Sequence, residues 1–197
     1  MVDGGRSKLI AAAQTLIAQK GFHQTRMAEL THLSGISVGQ IYRLFANKSE
    51  MIIAIVQDDT EKRIQRLAAI RDDVAAGVLA PETGVERAIL QALQESSEAL
   101  NFEVLAEGLR NPVVADVVGS LCENLRAILG ELILKIAPEL TGSRLLAAEE
   151  MLLAITFGLG NNTLSRPVLS SETSARHAAE MIVAMLKALE DSCKRGV

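Results

Sequence analysis

Five residues near the N-terminus have the types needed to hold a duplex: Ser37, Gln40, Tyr42, Arg43 and Lys48. Arginine can donate two hydrogen bonds to the O6 and N7 of guanine, and glutamine can pair bidentately with adenine, so Arg43 and Gln40 are candidates for base readout. Tyr42 is the only tyrosine in the chain. Buried, it would be a core ring with a satisfied hydroxyl; exposed, it would donate to phosphate or stack on a base. Lys48 stands where a helix is expected to begin, a place where the helix dipole favours an acid. A cation there is better explained by an external anion, toward which the backbone N–H groups of that terminus also point.

Chemistry of other kinds finds little support. Within residues 58–197 there is no C-x-x-C, H-x-x-x-H or G-x-S-x-G pattern, so no catalytic or metal-binding arrangement is expected and no cofactor is implied. His23 and His32 lie near the N-terminus and His177 stands alone toward the C-terminus. Cys122 reads as a small buried hydrophobe. The alternative is a thiol sensor, because Arg126 lies one helical turn away and would favour the thiolate.

These residues must be positioned by helices. The chain has 197 residues, 49% hydrophobic and 22% charged, with 3% aromatic and no tryptophan. A core of Leu, Ile, Val and Ala follows, and apolar residues recur at helical spacing with no convincing strand alternation. The expected fold is all-α, with about nine helices. No run approaches the ~18 apolar residues of a membrane span, no secretory leader is evident, and two cysteines cannot make a disulfide framework. A cytoplasmic protein without a membrane partner is expected. Residues 1–57 carry six Lys and Arg against three Asp and Glu, a net +3, which leaves −7 for the remainder of a chain at −4. A small basic contact module on an acidic body is one reading of that asymmetry, and scatter is the other.

The first helix is expected over 6–20, with Leu9, Ala13, Leu16 and Ile17 as its apolar stripe and Gly21 as its C-terminal cap. Thr25 is a candidate N-cap for a short helix over 26–33. Gly35 suits a tight left-handed turn, and Ser37 with Gln40 forms an S-x-x-Q capping box that starts a helix over 38–45. Short helix, glycine turn and short helix make a helix-turn-helix, the motif spanning about 26–45, with Leu30, Leu33, Ile36, Ile41 and Phe45 holding the pair together. Asn47 and Glu50 cap a long fourth helix over 48–75. A loop is expected over 77–84, then helices over 85–100, 102–109, 112–136 (Asn111 as N-cap, Pro112 at its first position), 143–163 and 171–192. Apolar residues cover more than one face of the penultimate helix, so it needs a core on one side and a partner on the other. A two-helix face of this kind, made by the last two helices, often pairs with a second copy into a four-helix bundle, and the alternative is a helix buried wholly within the monomer.

Residues 6–52 carry a recognisable text: Ile10-x-x-Ala13, Phe22-x-x-Thr25, Met27-Ala28-Glu29-Leu30, Ser34-Gly35-Ile36-Ser37, Gly39-Gln40-Ile41-Tyr42-Arg43-Leu44-Phe45 and Asn47-Lys48-Ser49-Glu50. The chain thereby resembles the tetracycline-repressor (TetR/AcrR) family of bacterial transcription regulators, whose G-x-[IL]-Y-x-x-F-x-x-K pattern it contains. Phe157-Gly158-Leu159 resembles the family's eighth helix, although an acid often stands at the place of Phe157. Gln40 replaces a common threonine or alanine, and Leu44 a common aromatic or histidine. The resemblance implies a three-helix helix-turn-helix domain over 1–50 and a helical regulatory and dimerisation domain over 51–197. It also implies a homodimer on a double-stranded palindromic operator, released by a small-molecule inducer. Carried over by position, Thr25 and Met27 lie beside phosphates, Ser37, Val38, Gln40 and Arg43 face bases or phosphates, and Tyr42 and Lys48 grip the backbone. Candidate inducer contacts on the later helices are Leu100, Glu103, Val104, Leu121, Leu125, Phe157 and Asn161. The scarcity of aromatic side chains favours an apolar or weakly polar inducer over a planar cation. The alternative is a helical small-molecule-binding protein or enzyme that does not bind DNA.

Overall fold

The computed structural model describes residues 2–94 and 98–194, with the side chains of Val2, Asp3, Lys48 and Cys193 outside the described set. Among the described residues the chain is helical throughout: α1 (Val2–Lys20), α2 (Met27–Ser34), α3 (Val38–Leu44), α4 (Lys48–Ala75), α5 (Pro81–Gln94), α6 (Glu98–Gly108), α7 (Pro112–Ile136), α8 (Gly142–Leu159), a 3-10 turn (Thr163–Ser165) and α9 (Ser171–Lys194). No helix among them is long and apolar enough to cross a membrane.

Two compact units emerge. The first comprises Met1–Glu61 and Ser97–Leu121, and the second Lys62–Ser96 and Cys122–Val197. The N-terminal unit therefore extends past the expected residues 1–50 and takes in α6 and the start of α7. Its core holds the stripe expected of α1, with Leu9 and Ala13 fully buried and Leu16 and Ile17 nearly so. Ile52, Ile55 and Val56 of α4, Leu100 of α6 and Val114 of α7 complete it.

Several boundaries differ from expectation, each for a local reason. Pro81 belongs to α5 rather than to a loop, because proline at the first helical position loses no intrahelical hydrogen bond. The expected helix over 85–100 is divided between α5 and α6. Asn111 caps α7 as expected, its Oδ1 accepting from the Val113 N–H at 3.1 Å. At the other end of the chain α8 stops at Leu159, with Thr163 in the 3-10 turn.

The second unit packs α5, α7, α8, α9 and the later half of α4 around Val85, Ile89, Leu132, Ile133 and Leu186. Gly84 sits in α5 where helices crowd. A Cβ there would come within 2.6 Å of Val74 Cγ2, with Leu132 Cδ2 at 3.7 Å and Ile70 Cγ2 at 3.8 Å. Val74 is buried and β-branched, so it cannot rotate away at low cost. Gly84→Ala should therefore destabilise the protein by about 1–3 kcal/mol through overpacking. Alanine's helix propensity works the other way by ~1 kcal/mol. Urea unfolding followed by circular dichroism reads the net sign, and a gain in stability would refute the packing argument.

Candidate nucleic-acid interface

The turn between α2 and α3 is built by short-range hydrogen bonds. Gly35 takes φ 69°, ψ 16°, the left-handed region, and its N–H donates to the Thr31 carbonyl at 3.0 Å. The Ile36 N–H donates to Ser34 Oγ at 3.2 Å. Ser37 then starts α3. Its N–H donates to Gln40 Oε1 at 3.2 Å, and its Oγ accepts from the Gln40 N–H at 3.4 Å. The expected capping box is present in full.

Within α3 only Ile41 is buried, at 0% exposure. Ile36 and Phe45 flank it in the core, and the Arg6 guanidinium lies over the Phe45 ring, 5.6 Å from its centroid. Everything else on the helix apart from Leu44 faces out. Ser37, Val38, Gln40, Tyr42 and Arg43 are exposed, with Tyr42 at 56%. A short helix anchored by one side chain and exposed along the rest is of a size that a major groove admits. The tyrosine is the exposed kind, not a core ring.

Gln40 is partly committed. Its Oε1 accepts from both the N–H and the hydroxyl of Ser37, the latter at 3.0 Å. Bidentate pairing with adenine needs that oxygen as an acceptor, so the box would have to open first. With the box closed, Gln40 offers its amide N–H groups alone.

Two sequence expectations change, at Thr25 and at Leu33. Thr25 is buried at 3% exposure and its hydroxyl donates to the Gly21 carbonyl at 2.9 Å, so it does not cap α2. Arg26 is the N-cap, and its N–H donates to Glu29 Oε2 at 3.0 Å. Glu29 also pairs with Lys20, which together with the Arg26 N–H holds its carboxyl below the usual carboxylate range. One lysine of the basic module is thus neutralised within it. Leu33, expected inside the motif, is 50% exposed. Met27 is half-buried against the core. Lys48 opens α4, and its side chain lies outside the described residues. The Asn47 and Glu50 cap is present: the Glu50 N–H donates to Asn47 Oδ1 at 2.9 Å, and the Ala46 N–H donates to Glu50 Oε2 at 2.8 Å.

Sequence reasoning missed how α6 braces the motif. The Glu103 carboxylate accepts from the Phe22 N–H at 2.9 Å, and its Oε1 lies 3.0 Å from where a Cβ on Gly21 would sit. Gly21 itself has φ 84°. Glu107 is buried at 8% exposure, with Asn111 Nδ2 donating to its Oε1 at 3.4 Å and His23 Nε2 3.9 Å from its Oε2. Both glutamates thus face the α1–α2 junction from one side of α6. Glu103→Ala should cost about 1–3 kcal/mol, because the Phe22 amide would be left without that acceptor at a buried position. Glu103→Gln, which keeps an acceptor oxygen, should recover part of it. Thermal melts of the two variants decide, and equal losses would sink the argument.

The remaining candidates for inducer contact divide between the units. Leu100 is in the core of the first, with Val104 and Leu121 packed against it. Leu125 packs on the core of the second. Phe157 is 43% exposed, and its carbonyl accepts from Asn161 Nδ2 at 2.8 Å.

A capped, exposed helix that follows a short helix and a left-handed glycine turn is a helix-turn-helix motif. Residues 9–55, which contain this motif, match the model of bacterial regulatory proteins of the tetR family. The HTH-type transcriptional regulator UidR of Escherichia coli (strain K12) is 33% identical over 112 residues, 56% of this chain and 55% of the relative. The match thus spans about half of that relative's length. TtgR of Pseudomonas putida, also an HTH-type transcriptional regulator, is 30% identical over 71 residues, 35% of this chain and 34% of the relative. Among solved structures, Salmonella enterica GusR superposes with a TM-score of 0.71 at 25% identity, covering 95% of each chain.

Proposed function

We propose that this chain is a cytoplasmic, homodimeric repressor that binds a palindromic operator and leaves it when a small, largely apolar molecule binds the helical unit. The observation that carries the DNA-binding part is the exposure of Ser37, Val38, Gln40, Tyr42 and Arg43 on a helix anchored by Ile41. Arg43 reads guanine from that surface, and Gln40 donates to a groove acceptor or a phosphate. Tyr42 and Lys48 hold the phosphate backbone. Thr25, bonded to the Gly21 carbonyl, holds the turn that precedes α2.

Dimerisation is supported by a second apolar face on the last two helices. In α9, Ala175, Ala179, Ile182 and Leu186 are buried while Met181, Ala184, Met185 and Ala188 are exposed at helical spacing. In α8, Ala147, Met151, Ala154 and Gly158 form a similar exposed stripe. A second copy covers such stripes symmetrically. The apolar character of the inducer rests on the aliphatic core of the second unit, to which Leu125 contributes, with Phe157 and Asn161 at the end of α8 as candidate contacts. Leu100, Glu103, Val104 and Leu121, the other candidate contacts, lie in the first unit.

The test is selection of bound duplexes from a random library, with Tyr42→Ala and Lys48→Ala as controls. An enriched palindrome lost in both variants is expected. A folded dimer that enriches nothing would end the reading.

A further inference from the structure

Arginines in the second unit are provisioned unequally. Arg71 of α4 has its guanidinium 2.8 Å from Asp72 Oδ1 and 3.5 Å from Glu131 Oε1. Arg126 of α7 has an Nε that is shielded from solvent and meets no hydrogen-bond partner among the described residues. A buried guanidinium N–H without an acceptor costs free energy, and the cost rises if a second cation is near.

A second cation is near. The Arg71–Glu131 pair joins α4 to α7. Arg63 precedes Arg71 by eight residues, and Cys122 and Arg126 precede Glu131 by nine and five. At ~1.5 Å per residue these are steps of about 12 Å and about 8–14 Å along the two helices, so Arg63 stands level with Cys122 and Arg126. The Cys122 thiol reports the same arrangement. Burial pushes it up, while the fields of Arg126 and then Arg63 pull it back. The Nε of Arg63 is also shielded from solvent, and its carbonyl accepts from Gln91 Nε2 of α5 at 3.5 Å. Leu67, one turn beyond Arg63, is buried, and Leu125, next to Arg126, is half-buried in the same apolar cluster.

We propose that Arg126 is the anion-recognition group of the effector site, and that the effector is a small organic carboxylate with an apolar body. This rests on the reading of the second unit as the ligand-binding half. A carboxylate supplies two coplanar acceptors that match a guanidinium fork. Its single charge costs less to bring beside Leu67 and Leu125 than the double charge of a phosphate monoester. The apolar part of the effector then meets the aliphatic core already described. An arginine left unsatisfied without ligand is a local sacrifice of stability for binding.

The test uses the full-length protein and matched pairs: hexanoate with hexanamide, cyclohexanecarboxylate with its amide, and benzoate with benzamide. Thermal shift and calorimetry should show stabilisation by a carboxylate and little by its amide. Arg126→Met should weaken that carboxylate roughly 10- to 100-fold, with Arg126→Lys between. Without ligand, Arg126→Met should melt at or above the parent temperature. Alkylation of Cys122 by iodoacetamide should slow when the carboxylate is bound, because the anion offsets the arginines' pull. No preference for carboxylate over amide in any pair overturns the proposal. So does an unliganded Arg126→Met that melts lower, since the guanidinium would then be structural. Operator release is measured separately. A carboxylate that binds through Arg126 but leaves operator binding unchanged keeps the site and refutes the inducer reading instead.

Discussion

A glutamate at Met151 or Met181 should convert the protein to a monomer and weaken operator binding by roughly 100-fold or more, the range lost when two linked contacts become independent. Met151 is 51% exposed and Met181 67% exposed, so neither holds its own helix in place. Substitutions at such positions usually change folding stability by no more than about 0.5 kcal/mol. In a symmetric interface the same change appears twice, and each carboxylate would lose water against the partner's apolar stripe without a counter-charge. Light scattering after size exclusion reads the mass, and fluorescence anisotropy with the selected palindrome reads the affinity. Met151→Leu, which keeps volume and polarity, should remain a dimer and bind normally. A glutamate variant that stays dimeric would move the interface off α8 and α9, whatever its effect on DNA.

What could be read from the chain was local. The Ser37–Gln40 box and the Gly35 turn involve residues no more than four apart, and each is satisfied by its own hydrogen bonds. The stripe of α1 and the full length of α4 and α7 followed from periodicity for the same reason. Misreadings came where a residue's type admits two local solutions. Thr25 can cap a helix, but its hydroxyl reaches back to Gly21 while Glu29 satisfies the Arg26 amide. Pro81 can end a helix or open one. Leu33 is apolar yet sits on the outer rim of α2. The rest depended on contacts between distant parts of the chain. Glu103 meets Phe22 across 81 residues, and no pattern around either residue announces it. Arg126 could be seen as a neighbour of Cys122 one turn away, but not as a guanidinium with a buried, unmatched Nε.

Adjacent residues of α3 should fail in opposite ways, which separates the roles of core and surface in DNA binding. Ile41→Ala removes the one fully buried side chain of the helix. Truncations of this kind cost about 2–5 kcal/mol when the surroundings cannot collapse around the gap. Ile36 and Phe45 border the site and are themselves nearly buried, so α3 should lose its seat in the first unit while the aliphatic core of the second is untouched. The expected result is an early melting transition, a preserved dimer, and operator binding reduced in proportion to the undocked fraction. Cooling should restore part of it. Tyr42→Ala removes a ring that is 56% exposed. Its melt should match the parent's, and its loss of operator affinity should not recover on cooling. If Ile41→Ala binds DNA normally, α3 is held by something other than this contact. If Tyr42→Ala lowers the melting temperature as far as Ile41→Ala, the tyrosine is structural and the readout surface must be redrawn around Arg43.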